Sequence, residues 1–230
     1  MECVVIANRS MTLKIRAHKK ARRMILRLDD RDGMETLRVT TPTGVARQAV
    51  LDWVNTQSDW IRTRLEKRPR RVAFEPGQII PFRGQDHTIR HKAGGRGPVL
   101  HANHELTVTG GQEYLSRRLT DWLKKQARQV LTDRVQEKTA ILGKAYGRVS
   151  VRDTRTRWGS CSSTGNLSFC WRLVLAPDYV LDYVVAHEVA HLQEHNHSSV
   201  FWALTEQLTD HVHAGKRWLS EHGESLHRIG

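Results

Sequence analysis

The sequence predicts an α+β fold with a strand-rich first half and a helical second half. Short apolar runs broken by glycine turns fill residues 12–40 and 76–111. Apolar residues recur at helical spacing over 46–67 and 112–142, and helical patterns dominate from residue 178 onward.

Element by element, Met24-Ile25-Leu26-Arg27-Leu28 and Leu37-Arg38-Val39 read as strands joined through Asp32-Gly33, a hairpin signal. Val50, Trp53, Val54, Ile61 and Leu65 mark a single amphipathic helix over 46–67, and Pro69 stops it. Leu106-Thr107-Val108 is the clearest strand of the next stretch, where Gly94-Gly95, Gly97-Pro98 and Gly110-Gly111 are breaks. Leu115, Leu119, Trp122, Leu123, Val130, Leu131 and Val135 line a long helix that Gly143 ends. Strands follow at Val149-Ser150-Val151 and from Leu167 to Leu175, separated by a polar turn at Ser162–Asn166. Helices are expected over 178–195, about 199–209 and about 214–222. This divides the chain into a strand-rich region with one helix, 1–111, and a helical region, 112–230, which need not fold independently.

A chain of 230 residues can bury a core without disulfides. Three irregularly spaced cysteines (Cys3, Cys161, Cys170) form no disulfide framework and no Cys-x-x-Cys pair. They suit a reducing compartment. No apolar run reaches the roughly 20 residues that span a bilayer, and the first residues lack a signal-peptide pattern. A cytoplasmic protein without a membrane partner is expected. With 37 Lys and Arg against 24 Asp and Glu, the net charge is +13, which makes nucleic acid a candidate partner. Basic residues cluster locally at Lys19–Arg23 and Arg62–Arg71.

The chemistry is concentrated in His187-Glu188-Val189-Ala190-His191, an H-E-x-x-H string. Residues four apart share a helix face about 6 Å apart along the axis, so two imidazoles can converge on one metal ion. Leu181, Val184, Val185 and Leu192 form an apolar stripe, and on a helical wheel Glu188 falls within it. A carboxylate on a buried side is costly unless something compensates it. A general base beside a metal has such a reason to be there; an ordinary helix with a glutamate paired to an arginine is the bland alternative.

Three candidates stand for a third ligand. His197 could fold back after a turn at Asn196, with Ser198 capping the next helix. His195, if the helix continues, lies two turns from His187, about 12 Å along the axis. Glu206 would complete a two-histidine, one-carboxylate set. Three protein ligands leave a fourth position open, as in catalytic rather than structural zinc sites. The pattern implies one Zn²⁺ per chain, Glu188 as catalytic base and a peptide or protein substrate.

Several strings extend the motif. Arg157-Trp158-Gly159-Ser160-Cys161-Ser162, Gly165-Asn166-Leu167, Trp171-Arg172-Leu173 through Pro177, Tyr183-Val184-Val185 and Asn196-His197-Ser198 with Phe201-Trp202 together resemble the YgjP-like metallopeptidase-domain family. That family is related to SprT-like proteases and other minimal zincins. The resemblance implies a minimal zincin-like second half carrying an active-site helix, a zinc metallopeptidase activity and His197 as third ligand. It is dense over about 149–219, with Cys170 standing where asparagine is expected. Two other readings stay open: a DNA-associated protease, and a non-enzymatic module whose metal only braces the fold. Trp158 and Trp171 are expected as core aromatics under the metal helix. Gly159 is expected in a tight bend, Cys161 as a buried structural thiol, and Trp202 at the cleft.

Overall fold

The computed structural model describes residues 2–6, 9–29, 36–95 and 97–230. It divides into two compact units, Met1–Arg68 and Pro69–Gly230.

In the first unit, β1 (Glu2–Ile6), β2 (Arg9–Ala17), β3 (Ile25–Asp29) and β4 (Thr36–Thr41) form one sheet in the order β1-β2-β4-β3. β2 and β4 run parallel, while β3 and β4 pair antiparallel with Asp29 opposite Thr36. The Asp32-Gly33 turn expected between β3 and β4 lies outside the described residues. Met11, Leu13, Leu37 and Val39 alternate along their strands and meet Val50, Val54, Ile61 and Leu65 in a buried cluster. The single helix expected over 46–67 is two, α1 (Arg47–Thr56) and α2 (Ser58–Glu66). Thr56 Oγ1 donates to the Trp53 carbonyl at 2.7 Å and Ser58 Oγ to the Asn55 carbonyl at 2.5 Å. Such side-chain bonds compete with the helical ladder, and Gln57 leaves it at φ −92°, ψ 9°.

The second unit opens with β5 (Ile79–Phe82), β6 (Gln85–Lys92), β7 (Leu100–Ala102) and β8 (Glu105–Thr109), ordered β5-β6-β8-β7. A 3₁₀ turn at Gln112–Tyr114 leads into α3 (Leu115–Leu142), which Gly143 ends in the left-handed conformation at φ 66°. Leu115, Leu119, Leu123, Ala127, Leu131 and Val135 make one buried stripe along α3. Ile80, Phe82, Ile89, Leu106 and Val108 of the sheet lie in the same hydrophobic cluster. Residues 69–111, grouped by sequence with the N-terminal region, therefore share the core of the long helix, and the change of unit falls at 68/69 rather than near 111.

β9 (Val149–Arg152), β10 (Gly159–Cys161) and β11 (Leu167–Cys170) form a small sheet in the order β10-β11-β9. The strand expected through Leu175 stops at Cys170, and Trp171–Leu175 is a 3₁₀ turn with all five residues buried. A short run buried on every side carries no period that separates strand from helix. Then come α4 (Asp178–Ala190), α5 (Ser199–Leu208) and α6 (Val212–Leu226).

Two polar fastenings hold α4. At its start, Asp178 takes a bidentate pair from Arg83, Nε to Oδ1 at 2.7 Å and Nη2 to Oδ2 at 2.5 Å. Gly84 makes this approach feasible: it sits at φ +76°, and a Cβ there would lie 2.9 Å from the Pro177 Cα. One turn on, buried Asp182 accepts from Lys138 Nζ of α3 at 2.9 Å and from Thr209 Oγ1, just past α5, at 2.5 Å. Breaking such a buried pair typically costs about 3–5 kcal/mol. Among the described residues, no helix is long and apolar enough to cross a membrane.

Candidate metal centre

α4 is buried almost all round, with Val180, Leu181, Val184, Val185, Ala186, Val189 and Ala190 inaccessible on their several faces. It is a central helix rather than one with a single apolar stripe. The helix expected to run to residue 195 ends at Ala190. Leu192 N–H donates to the Val189 carbonyl and Gln193 N–H to the Ala190 carbonyl, tightening the last turn. Asn196 Oδ1 then accepts from Ser198 N–H at 2.9 Å, and Ser198 Oγ accepts from Phe201 N–H at 3.3 Å to cap α5. This turn reverses the chain and returns His197 toward α4.

His187, His191 and His197 come together, each with a ligating atom within 4.8 Å of the others. His187 Nε2 and His197 Nε2 stand 3.2 Å apart. His191 Nδ1 lies 2.9 Å from the Glu194 carbonyl; a carbonyl only accepts, so that nitrogen carries the proton and Nε2 keeps a lone pair. A carbonyl on the far ring nitrogen is the usual partner of a metal-ligating histidine. Phe201 lies edge-on to His187, with centroids 4.9 Å apart. His187 and His197 each face the Trp202 ring at 5.9 Å, and Lys216 Nζ lies 5.1 Å from that ring. His197 is exposed, which leaves the cluster open to solvent. His195, also exposed, and Glu206 lie outside it.

These residues fit a zinc ion. Two nitrogens each about 2.1 Å from a tetrahedral Zn²⁺ stand about 3.4 Å apart, close to the 3.2 Å between His187 and His197. Burial, and then the fields of His191, His197 and Lys216, lower the His187 pKa to about 4. His191 is lowered too, chiefly by burial. Both imidazoles are held in the neutral form that ligates metals.

Glu188 is 6% exposed. Burial pushes its carboxyl up to about 7, while the charge of Arg157 and the Cys161 backbone N–H pull it back. Gly159 gives room rather than a bend: a Cβ there would lie 2.5 Å from Glu188 Cγ and Oε1. Cys161 is half-buried, and burial with the nearby Glu188 raises its thiol pKa, which disfavours a thiolate nucleophile. Trp171 is buried, as expected. Trp158 is half-buried, packed against the same core and stacked on His227, with centroids 4.3 Å apart and planes 14° off parallel. Sequence reasoning missed the Cys161 N–H, a backbone group that leaves no signal in residue type. It also missed Lys216, which lies far from the motif in sequence.

A family model described as "YgjP-like, metallopeptidase domain" matches residues 22–222. The chain belongs to that family. This match extends the sequence resemblance, dense over the second half, to residues 22–68 of the first unit. Metallopeptidases of such a family carry a catalytic metal, typically zinc. Among solved structures, the metallopeptidase zymogen of Pyrococcus abyssi abylysin is 21% identical, covering 40% of this chain and 93% of that one at a TM-score of 0.36. No curated protein matches this chain.

Proposed function

We propose that this YgjP-like protein is a zinc-dependent peptidase in which His187, His191 and His197 hold one metal ion and Glu188 is the catalytic base. The observation that carries this reading is the convergence of three imidazoles, from α4 (His187), its C-cap (His191) and the turn after it (His197), with the buried carboxylate of Glu188 next to His187 on α4. Bound there, zinc would supply a Lewis acid for the peptide carbonyl and make an attacking water more acidic.

Glu188 takes the proton from the water as it attacks and passes it to the leaving amine. Burial raises the Glu188 carboxyl above its ordinary range, which makes it a stronger proton acceptor. The Cys161 N–H orients that carboxylate, and Gly159 leaves room for it. The Glu194 carbonyl fixes the His191 tautomer and ring orientation. Phe201 packs against the His187 ring and limits its rotation.

The test is hydrolysis of a mixed peptide library, followed by mass spectrometry, with zinc-loaded wild type and Glu188→Gln. Loss of about 10²–10⁴-fold in rate with zinc retained is expected. Equal rates in the two proteins would remove Glu188 from the mechanism. A zinc-loaded wild type that cleaves nothing would favour the metal-braced binding module.

A further inference from the structure

We propose that the outer face of the β1-β2-β4-β3 sheet binds the phosphate backbone of duplex nucleic acid, a function separate from the metal centre. Side chains alternate across a strand, and the inner face is the one that meets α1 and α2 in the buried cluster. The opposite face carries Thr12, Lys14 and Arg16 on β2, Thr36, Arg38 and Thr40 on β4, and Ile25, Arg27 and Asp29 on β3. Arg16, Ile25 and Arg27 are exposed, and the Arg38 side chain is 41% exposed.

Register makes this face unusual. Lys14 lies opposite Arg38, and Arg38 lies opposite Arg27. Three cations thus stand in one row across neighbouring strands, about 4.8 Å apart from strand to strand. Like charges directly opposite one another destabilise a sheet. Asp29 answers Arg38, Nε to Oδ2 at 2.7 Å. Among the described residues, no carboxylate pairs with Lys14 or Arg27. Beyond Arg16 the chain continues into exposed Lys19, Lys20, Arg22 and Arg23. The whole unit holds 15 Lys and Arg against eight Asp and Glu.

A surface shaped only for solubility mixes both signs, whereas this row concentrates one sign at a cost to the sheet. A polyanion offsets that cost, and the hydroxyls of Thr12 and Thr40 add donors for phosphate oxygens. No aromatic side chain lies on this face among the described residues, so base stacking, the usual grip on single strands, has nothing to work with. Contact is with the backbone alone, without sequence preference, and duplex is favoured. Its charge density, one per about 1.7 Å, is twice that of a single strand.

Fluorescence anisotropy of the full chain would test this with a random-sequence DNA duplex, its single strand, and phosphatidylserine vesicles by co-sedimentation. The variants are Lys14→Glu/Arg27→Glu and the milder Lys14→Gln/Arg27→Gln, each checked for fold by circular dichroism. Wild type should bind duplex more tightly than single strand. Log affinity should fall linearly with log salt between about 50 and 200 mM, and the Gln pair should flatten that slope by about 2 through the loss of two phosphate contacts. Should the Glu pair fail to fold, the Gln pair decides. Unchanged affinity and slope in a folded variant, no duplex binding by wild type at about 50 mM salt, or preference for vesicles over duplex would overturn the proposal.

Discussion

Two groups of three histidines lie in the second unit, and they are built differently. His187, His191 and His197 each bring a ligating ring nitrogen within 4.8 Å of the other two. His87, His101 and His104 also crowd together, with the His87 ring 4.9 Å from His101 and 5.3 Å from His104. Yet they form no three-ligand group among the described residues. His87 Nδ1 bonds the Gln85 carbonyl at 2.7 Å, and its Nε2 meets His101 Nε2 at 2.9 Å. Since Nδ1 must carry the proton to that carbonyl, His87 Nε2 accepts and His101 Nε2 donates. The second group satisfies itself as a hydrogen-bonded pair against Phe82, leaving His104 as a neighbour.

Helical i, i+4 spacing sets two imidazoles on one face, and a side-chain-fixed turn returns a third. In the sheet and hairpin of β6–β8, proximity gives pairing rather than convergence.

The largest effect that would sharpen this contrast lies beside the first group. Gly159→Ala places a methyl against Glu188, whose atoms are the nearest neighbours of that methyl. Peptide hydrolysis should fall about 100-fold, the usual effect of a misplacement near 1 Å, with metal content unchanged. Full activity in a folded Gly159→Ala protein would separate Glu188's position from catalysis.

A smaller effect comes from His227, a shifted histidine in neither group. Burial, then the charges of Arg172 and Arg155, lower its pKa to about 4 from the ordinary histidine value of 6.5. The unfolded chain therefore binds the proton more readily than the folded one between those values. Stability from this residue is full above about pH 6.5 and is lost as pH falls toward 4. Urea midpoints at pH 7 and pH 5 should show a loss on the order of 1 kcal/mol in wild type beyond that in His227→Phe, solvent screening of the half-buried ring included. Equal losses would place the ring's proton elsewhere.

Much of this was legible in the sequence because it rests on period and spacing. The α3 stripe from Leu115 to Val135, the Gly143 stop, and the H-E-x-x-H helix all follow from the order of residues. So did the reversal at Asn196, since an Asn followed by Ser two residues on is a turn and cap signal. The rest depended on partners distant in sequence. Arg83 meeting Asp178, Lys138 meeting Asp182, and Gly159 yielding space to Glu188 are contacts that no local pattern announces. The break at Gln57 turned on side-chain bonds to carbonyls, which compete with a helix by small margins. The unit boundary moved to 68/69 because residues 69–111 place apolar side chains against α3, a tertiary fact.

Elemental analysis of protein purified without added metal tests the central claim most directly, on wild type, His197→Ala and His101→Ala. About one zinc per chain is expected in wild type and in His101→Ala, and loss of most of it in His197→Ala. Zinc unchanged in His197→Ala, or lost in His101→Ala, would contradict the assignment of the metal to the converging group.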